Sequence, residues 1–267
     1  MKKIYLNLKR FDIPKDMNGI NDIGYGDCWA RKIINSLNSI KDVDLVVFLP
    51  ESSLFSAIKN TKHIGIGCQG VHYKDVVKGG NFGAFTSFRP ASAMKALGVT
   101  NVIVGHSEER ASKNELLIIG GGKGDVNEIL NQEVKCALAQ EMKVLYCVGE
   151  KAEEQENKYE VIKNQILVGL KDVDISNISI AYEPIWAIGP GKVPPDKEYI
   201  EDIVKFIKSV VNVPVVYGGG LKVENAQMLA SISELDGGLV ALTRFGKDFG
   251  FSTDDFKKIV ETYKEGL

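Results

Sequence analysis

An α/β chain closed into a (β/α)8 barrel is the fold this sequence predicts, and three observations predict it. Short runs rich in β-formers alternate with segments of helical period from one end to the other. Eight such beats occupy 267 residues, a length that suits a closed barrel better than an open doubly wound sheet. Most of the short runs are continuously apolar, as parallel strands covered on both faces must be.

Taken in order, strands are expected at residues 4–8, 45–49, 63–68, 101–105, 143–148, 178–182, 213–217 and 238–242. Amphipathic segments lie between them at 125–140, 159–170 and 196–211. In the last of these Ile200, Ile203, Val204, Ile207 and Val211 share one helical face. Residues 253–263 read as a closing helix, with Thr253 and Asp254 available as caps. Two connections exceed the usual short βα loop, at 10–25 and 111–124, and both belong at the C-terminal rim where such barrels keep their chemistry. No stretch rich in Pro, Gly or Ser divides the chain, so one domain over residues 1–267 is expected.

Composition narrows the function classes. A net charge of −2 with 25% charged residues gives no basic surface for nucleic acid and no charged tail. No run approaches the roughly 18 apolar residues of a membrane span. The opening residues lack the apolar core of a signal peptide, because Asn7 and Lys9 interrupt it. Four scattered cysteines form no C-x-x-C pair and no disulfide framework, which points to a reduced, cytoplasmic protein. Three distant histidines and those cysteines make no metal site, and a dinucleotide fingerprint after the first strand is missing, so neither metal nor cofactor is expected.

Polar residues just past apolar strands face one shared bowl in a barrel. Those positions hold Asn7 and Lys9, Gln69, His106 and Glu108, Cys147 and Glu150, Glu183, Gly218–Gly220, and Thr243–Arg244. Glu183 follows an apolar strand and precedes Pro184 and Ile185, which keep water away. Its carboxyl is therefore expected to titrate above the ordinary range, as a base should; a structural ion pair is the plainer role for a carboxylate there. His106 lies between a strand and an expected helix start, with Ser107 and Glu108 as capping residues. The positive end of a helix favours an uncharged imidazole, suited to hydrogen-bonding a carbonyl, although a packed histidine fits the position equally. His63 and His72 flank the third strand as structural or surface residues. Lys9 shares a face with Asn7, and an inward ammonium calls for an anion. The "YGGGL" turn, with Gly219 and Gly220, offers backbone N–H groups to phosphate. "IIGGGKGD" lacks the spacing of a phosphate loop and reads as a connection before a helix.

These residues, in this order, resemble the triosephosphate isomerase family. "NLK", "GAFTS", "VGHSEER", "CVGE", "AYEPIWAIGPGK" and "YGGG" are similar to the family's motifs over essentially the whole chain. The resemblance implies a TIM barrel. It also implies Glu183 as the base that moves a proton between adjacent carbons and His106 as the electrophile through an enediolate. Lys9 and Asn7 then serve electrostatics and positioning, with Glu108 as a second acid beside them. By the same resemblance residues 184–192 form a mobile lid whose Gly189 gives an N–H to phosphate.

The departures are as informative. Leu8 stands where the family usually has Trp, and Gly220 where it has Ser. Phe88 and Glu109 occupy the positions of an interface Glu–Arg pair, so a homodimer with a modified interface is expected, with Thr86 retained. The family's eighth-strand Gly-Gly is absent; direct counting puts Ala241–Leu242 there, and a longer strand puts Thr243–Arg244 there. The second is preferred, because "LVAL" reads as strand and Arg244 offers charged hydrogen bonds. The expected activity is interconversion of D-glyceraldehyde 3-phosphate and dihydroxyacetone phosphate. A tetrulose phosphate such as L-erythrulose 1-phosphate is the alternative substrate, and a non-catalytic barrel binding a phosphorylated ligand the alternative class.

Overall fold

The computed structural model describes residues 1–189, 191–244 and 249–267. Eight parallel strands close on themselves in sequence order: β1 (Lys3–Asn7), β2 (Asp44–Leu49), β3 (Gly65–Cys68), β4 (Asn101–Val104), β5 (Lys143–Val148), β6 (Ile178–Tyr182), β7 (Val215–Tyr217) and β8 (Gly237–Val240). The ring is completed where Lys3–Leu6 of β1 pair with Gly237–Val240 of β8.

Alternation along each strand divides the core into two shells. Tyr5, Val46, Phe48, Ile103, Leu145, Cys147, Ala181, Val216 and Leu239 pack together inside the barrel. Their neighbours, among them Ile4, Leu6, Tyr146, Ile180, Tyr182 and Tyr217, point outward against the helices.

The helices are α1 (Cys28–Leu37), α2 (Glu51–Asn60), α3 (Ala91–Leu97), α4 (Ser107–Ile119), α5 (Val126–Ala139), α6 (Lys158–Gly169), α7 (Lys197–Val210), α8 (Val223–Ala230) and α9 (Thr253–Glu265). In α7 the expected face buries Ile200, Ile203, Val204 and Ile207 completely. Each such side chain contributes roughly 1.5–3 kcal/mol, so Ile203→Ala would cost about 2–5 kcal/mol. The Asp125 and Asp196 carboxylates cap α5 and α7, accepting N–H bonds from Asn127 and Tyr199. Capping of α9 falls one residue earlier than expected, on Ser252, whose hydroxyl accepts from the Asp255 N–H.

Two other sequence expectations change. The connection expected over 111–124 is mostly helix, because α4 runs on to Ile119. β8 stops at Val240 rather than Leu242: Ala241 and Leu242 prolong the apolar run, but pairing with β1 ends at Leu6 opposite Val240. Among the described residues no helix is long and apolar enough to cross a membrane, and no group of three or more His, Cys, Asp or Glu could hold a metal ion.

Candidate active site

Strand parity delivers the bowl. With Tyr5, Ala181, Val216 and Leu239 facing inward, the inward positions at the strand ends fall on Asn7, Glu183, Gly218 and Ala241. All four line one cavity, together with Lys9 and His106. Lys9 adopts the left-handed region at φ 45°, and its N–H donates to Asn7 Oδ1 at 3.0 Å. Its ammonium lies 2.6 Å from Glu108 Oε1. Burial pushes the Glu108 carboxyl up, but the Lys9 hydrogen bond and charge outweigh it, and the group sits below its ordinary value.

His106 itself caps α4, where Ser107 or Glu108 was expected to do so. Its Nδ1 accepts the Glu108 N–H at 3.3 Å. A ring nitrogen that accepts has no hydrogen, so in the neutral imidazole the hydrogen is on Nε2. Nε2 faces the bowl, 3.3 Å from Glu183 Oε1. The other carboxylate oxygen accepts the Ser107 N–H at 3.0 Å. Ser107 was read from the sequence only as a possible cap, since a backbone donor carries no side-chain signal. Glu183 is 3% exposed, and this burial raises its carboxyl pKa against the opposing pull of His106, the Ser107 N–H, Arg110 and Lys9.

Gly189, Gly219 and Gly220 line the same cavity, joined by Lys192 and Lys222. Gly219 has no room for a side chain: a Cβ would stand 2.3 Å from the Tyr217 hydroxyl and 2.7 Å from Pro184 Cγ. Gly220 turns at φ 99°, where side chains are strained. With β8 ending at Val240, Ala241 and Leu242 take the lining position there, beside Phe249. Thr243 and Arg244, the residues preferred from the sequence, are not in that lining among the described residues. Thr243 accepts the Ser252 N–H, and Arg244 Nε lies 2.9 Å from Asp255 of α9.

Glu150 corrects the sequence reading in another way. Parity turns it outward from β5, into the layer between barrel and helices, and it is fully buried there. Its Oε1 accepts from Tyr182 at 3.0 Å, Tyr199 at 3.0 Å and the Trp186 indole at 2.7 Å. Trp186 lies in the segment after β6, so Glu150 holds that segment from behind the wall rather than facing the bowl. Its position two residues past β5 in "CVGE" was the available signal.

At the expected interface positions, Phe88 stacks on His72 with centroids 4.1 Å apart. Glu109 accepts the Gly105 N–H at 2.6 Å and pairs with Lys113, which also reaches Glu133 at 2.7 Å.

The triosephosphate isomerase family model matches residues 21–262. The chain is similar to the triosephosphate isomerase of Mycoplasma mobile, 38% identical over 79% of this chain and 83% of that protein. It is 32% identical to that of Carboxydothermus hydrogenoformans and 33% identical to that of Phocaeicola vulgatus, in each case over 90% of this chain and 93% of the relative. The match reaches from the first connection into the last helix, over seven of the eight strands, and the chain belongs to the triosephosphate isomerase family.

Proposed function

We propose that the protein interconverts D-glyceraldehyde 3-phosphate and dihydroxyacetone phosphate through an enediolate. The observation that carries this reading is the pairing of a buried, upward-shifted Glu183 with His106 Nε2 at 3.3 Å, at the mouth of a parallel barrel. Glu183 takes a proton from C1 of the ketose, and the C–H electron pair becomes the enediolate double bond. His106 donates from Nε2 to the carbonyl oxygen as charge develops there, and Lys9 stabilises that charge. The proton returns from Glu183 to C2 while the C1 hydroxyl gives its proton back to His106 Nε2. One proton has then moved from C1 to C2 and one from the C1 oxygen to the C2 oxygen, giving the aldose. Hydrogen and electrons stay within the substrate, so the step balances without a cofactor.

Asn7 fixes Lys9 through the Lys9 N–H, and Glu108 holds its ammonium at the rim. The phosphate is received by backbone N–H groups of Gly189, Gly219 and Gly220, with Ala241–Leu242 rather than Thr243–Arg244 on the eighth-strand side. The protein is a cytoplasmic homodimer whose interface is rebuilt around Phe88 and the exposed apolar end of α4. Leu116, Ile118 and Ile119 are 66–74% exposed there, more than an isolated chain ordinarily leaves open. A coupled assay on both triose phosphates and on L-erythrulose 1-phosphate tests the reading. Turnover of the trioses supports it, a much larger kcat/KM on the tetrulose transfers it to the four-carbon substrate, and no turnover on any of them leaves a phosphate-binding barrel.

A further inference from the structure

Lys9 carries the charge that the proposed reaction needs, yet at φ 45° it occupies a left-handed conformation that side-chain-bearing residues rarely adopt. Something must hold it there. The Gln69 carboxamide, just past β3, does so with a single nitrogen. Its Nε2 donates to Asn7 Oδ1 at 3.0 Å and to the Lys9 carbonyl at 2.8 Å. Both partners are acceptors: the second is a carbonyl, and the first already accepts the Lys9 N–H. An amide oxygen could not take that place, so the contacts themselves fix the amide's orientation.

The next residue is tied to the same place by a second route. Arg10 Nη1 lies 3.1 Å from Glu51 Oε2, and Glu51 pairs with Arg89. Arg89 in turn donates from Nε to the Gly70 carbonyl at 2.6 Å and from Nη2 to the Gln69 carbonyl at 3.3 Å. The backbone on which Gln69 is mounted is thus braced by the ion pairs of the residue that follows Lys9. The arrangement is a ring, Lys9–Gln69–Arg89–Glu51–Arg10, closed by the peptide bond between Lys9 and Arg10.

From this we infer that Gln69 is a positioning residue for Lys9: its two hydrogen bonds hold the left-handed turn that keeps the Lys9 ammonium at the bowl. The inference rests on the proposed role of Lys9 in isomerisation. Gln69 touches no reacting atom, and its effect passes wholly through Lys9.

A double-mutant cycle separates positioning from mere structure. Gln69→Met keeps the length and removes the donor; it is expected to lower kcat/KM by about 10- to 100-fold, as displacement of a catalytic group does. In a Lys9→Met background the same change is expected to cost less than about twofold. Gln69→Glu, which keeps the shape but cannot donate when ionised, is expected to follow Gln69→Met and serves in its place if that variant does not fold. An equal loss in both backgrounds, or full activity of a folded Gln69→Met, overturns the inference. If the wild-type protein turns over no sugar phosphate, the functional reading fails, and the crystal structure of Gln69→Met decides instead. A Lys9 φ relaxed to negative values upholds the positioning role, and one still near 45° ends it.

Discussion

Glu183 Oε1 stands 3.3 Å from His106 Nε2, the ring nitrogen left to carry the hydrogen once Nδ1 accepts from the Glu108 backbone. The two side chains therefore meet directly, and the imidazole tautomer is set by a helix cap rather than by a third side chain. Glu183→Gln is expected to lower kcat by on the order of 10²- to 10⁴-fold with little change in KM. Steady-state kinetics on both triose phosphates measure it, and a loss confined to KM would contradict the assignment.

The pH dependence of stability follows from the burial of Glu183. Its carboxyl titrates above the ordinary 4.5 when folded and near it when unfolded. Between those two values the folded chain binds more protons, so this group's contribution is complete at low pH and is lost as pH rises through the folded value. Glu183→Gln cannot ionise and should melt above the wild type at about pH 8, with the gap closing on acidification. Melting curves across pH test this, and a gap that widens towards low pH would reverse the sign.

Glu108 runs the other way. Its folded value is depressed, so its pairing with Lys9 stabilises the protein above the unfolded value and fades as pH falls through the folded one. The Glu108 side chain is 64% exposed, which limits the pair to about 0–1 kcal/mol. Glu108→Gln should accordingly melt close to wild type while lowering kcat/KM several-fold, because Lys9 loses its anchor. A large drop in melting temperature would instead mark Glu108 as structural.

Arg244 and the glycine turn differ in their relation to the cavity: Gly219 and Gly220 line it, whereas Arg244 pairs with Asp255. Arg244→Ala is expected to change KM by less than about twofold, since Arg244 pairs with Asp255 and the cavity passes through Leu242. Gly220→Ser restores a hydroxyl but places a side chain at φ 99°, so it should cost about 1–2 kcal/mol of stability. Denaturant melts and inhibition by inorganic phosphate measure the two effects. A tenfold rise in KM for Arg244→Ala would return that residue to the site.

Sedimentation velocity is expected to find a dimer that Phe88→Glu combined with Ile118→Lys weakens by at least tenfold in Kd, as loss of interface anchors does. A wild-type monomer, or a dimer indifferent to both changes, would remove the proposed interface.

Much of this was legible in the chain, and the misreadings share a cause. Short runs rich in β-formers located every strand, and most were continuously apolar because a parallel strand buried on both faces leaves few polar positions to confuse the pattern. The same property hid the strand ends: Ala241 and Leu242 look like more of β8, and only pairing with β1 shows where it stops. Parity is equally invisible in an all-apolar run, which is why Glu150 seemed to face the bowl when one residue of alternation turns it outward. Asn7, Lys9, His106 and Glu183, which the fold brings to one cavity, stood out because each is a polar interruption at the end of such a run. The Ser107 N–H could not be found in that way, having no side chain to betray it.

Glu150 also changes where one should look for variation in turnover. Its Oε1 gathers Trp186 from the segment after β6 and Tyr199 from α7, a helix on the outer face of the barrel. The resting place of the loop over the bowl is thereby registered against a helix that touches no part of the cavity. A substitution that repacks α7 is expected to shift the segment after β6 while every residue lining the cavity stays the same.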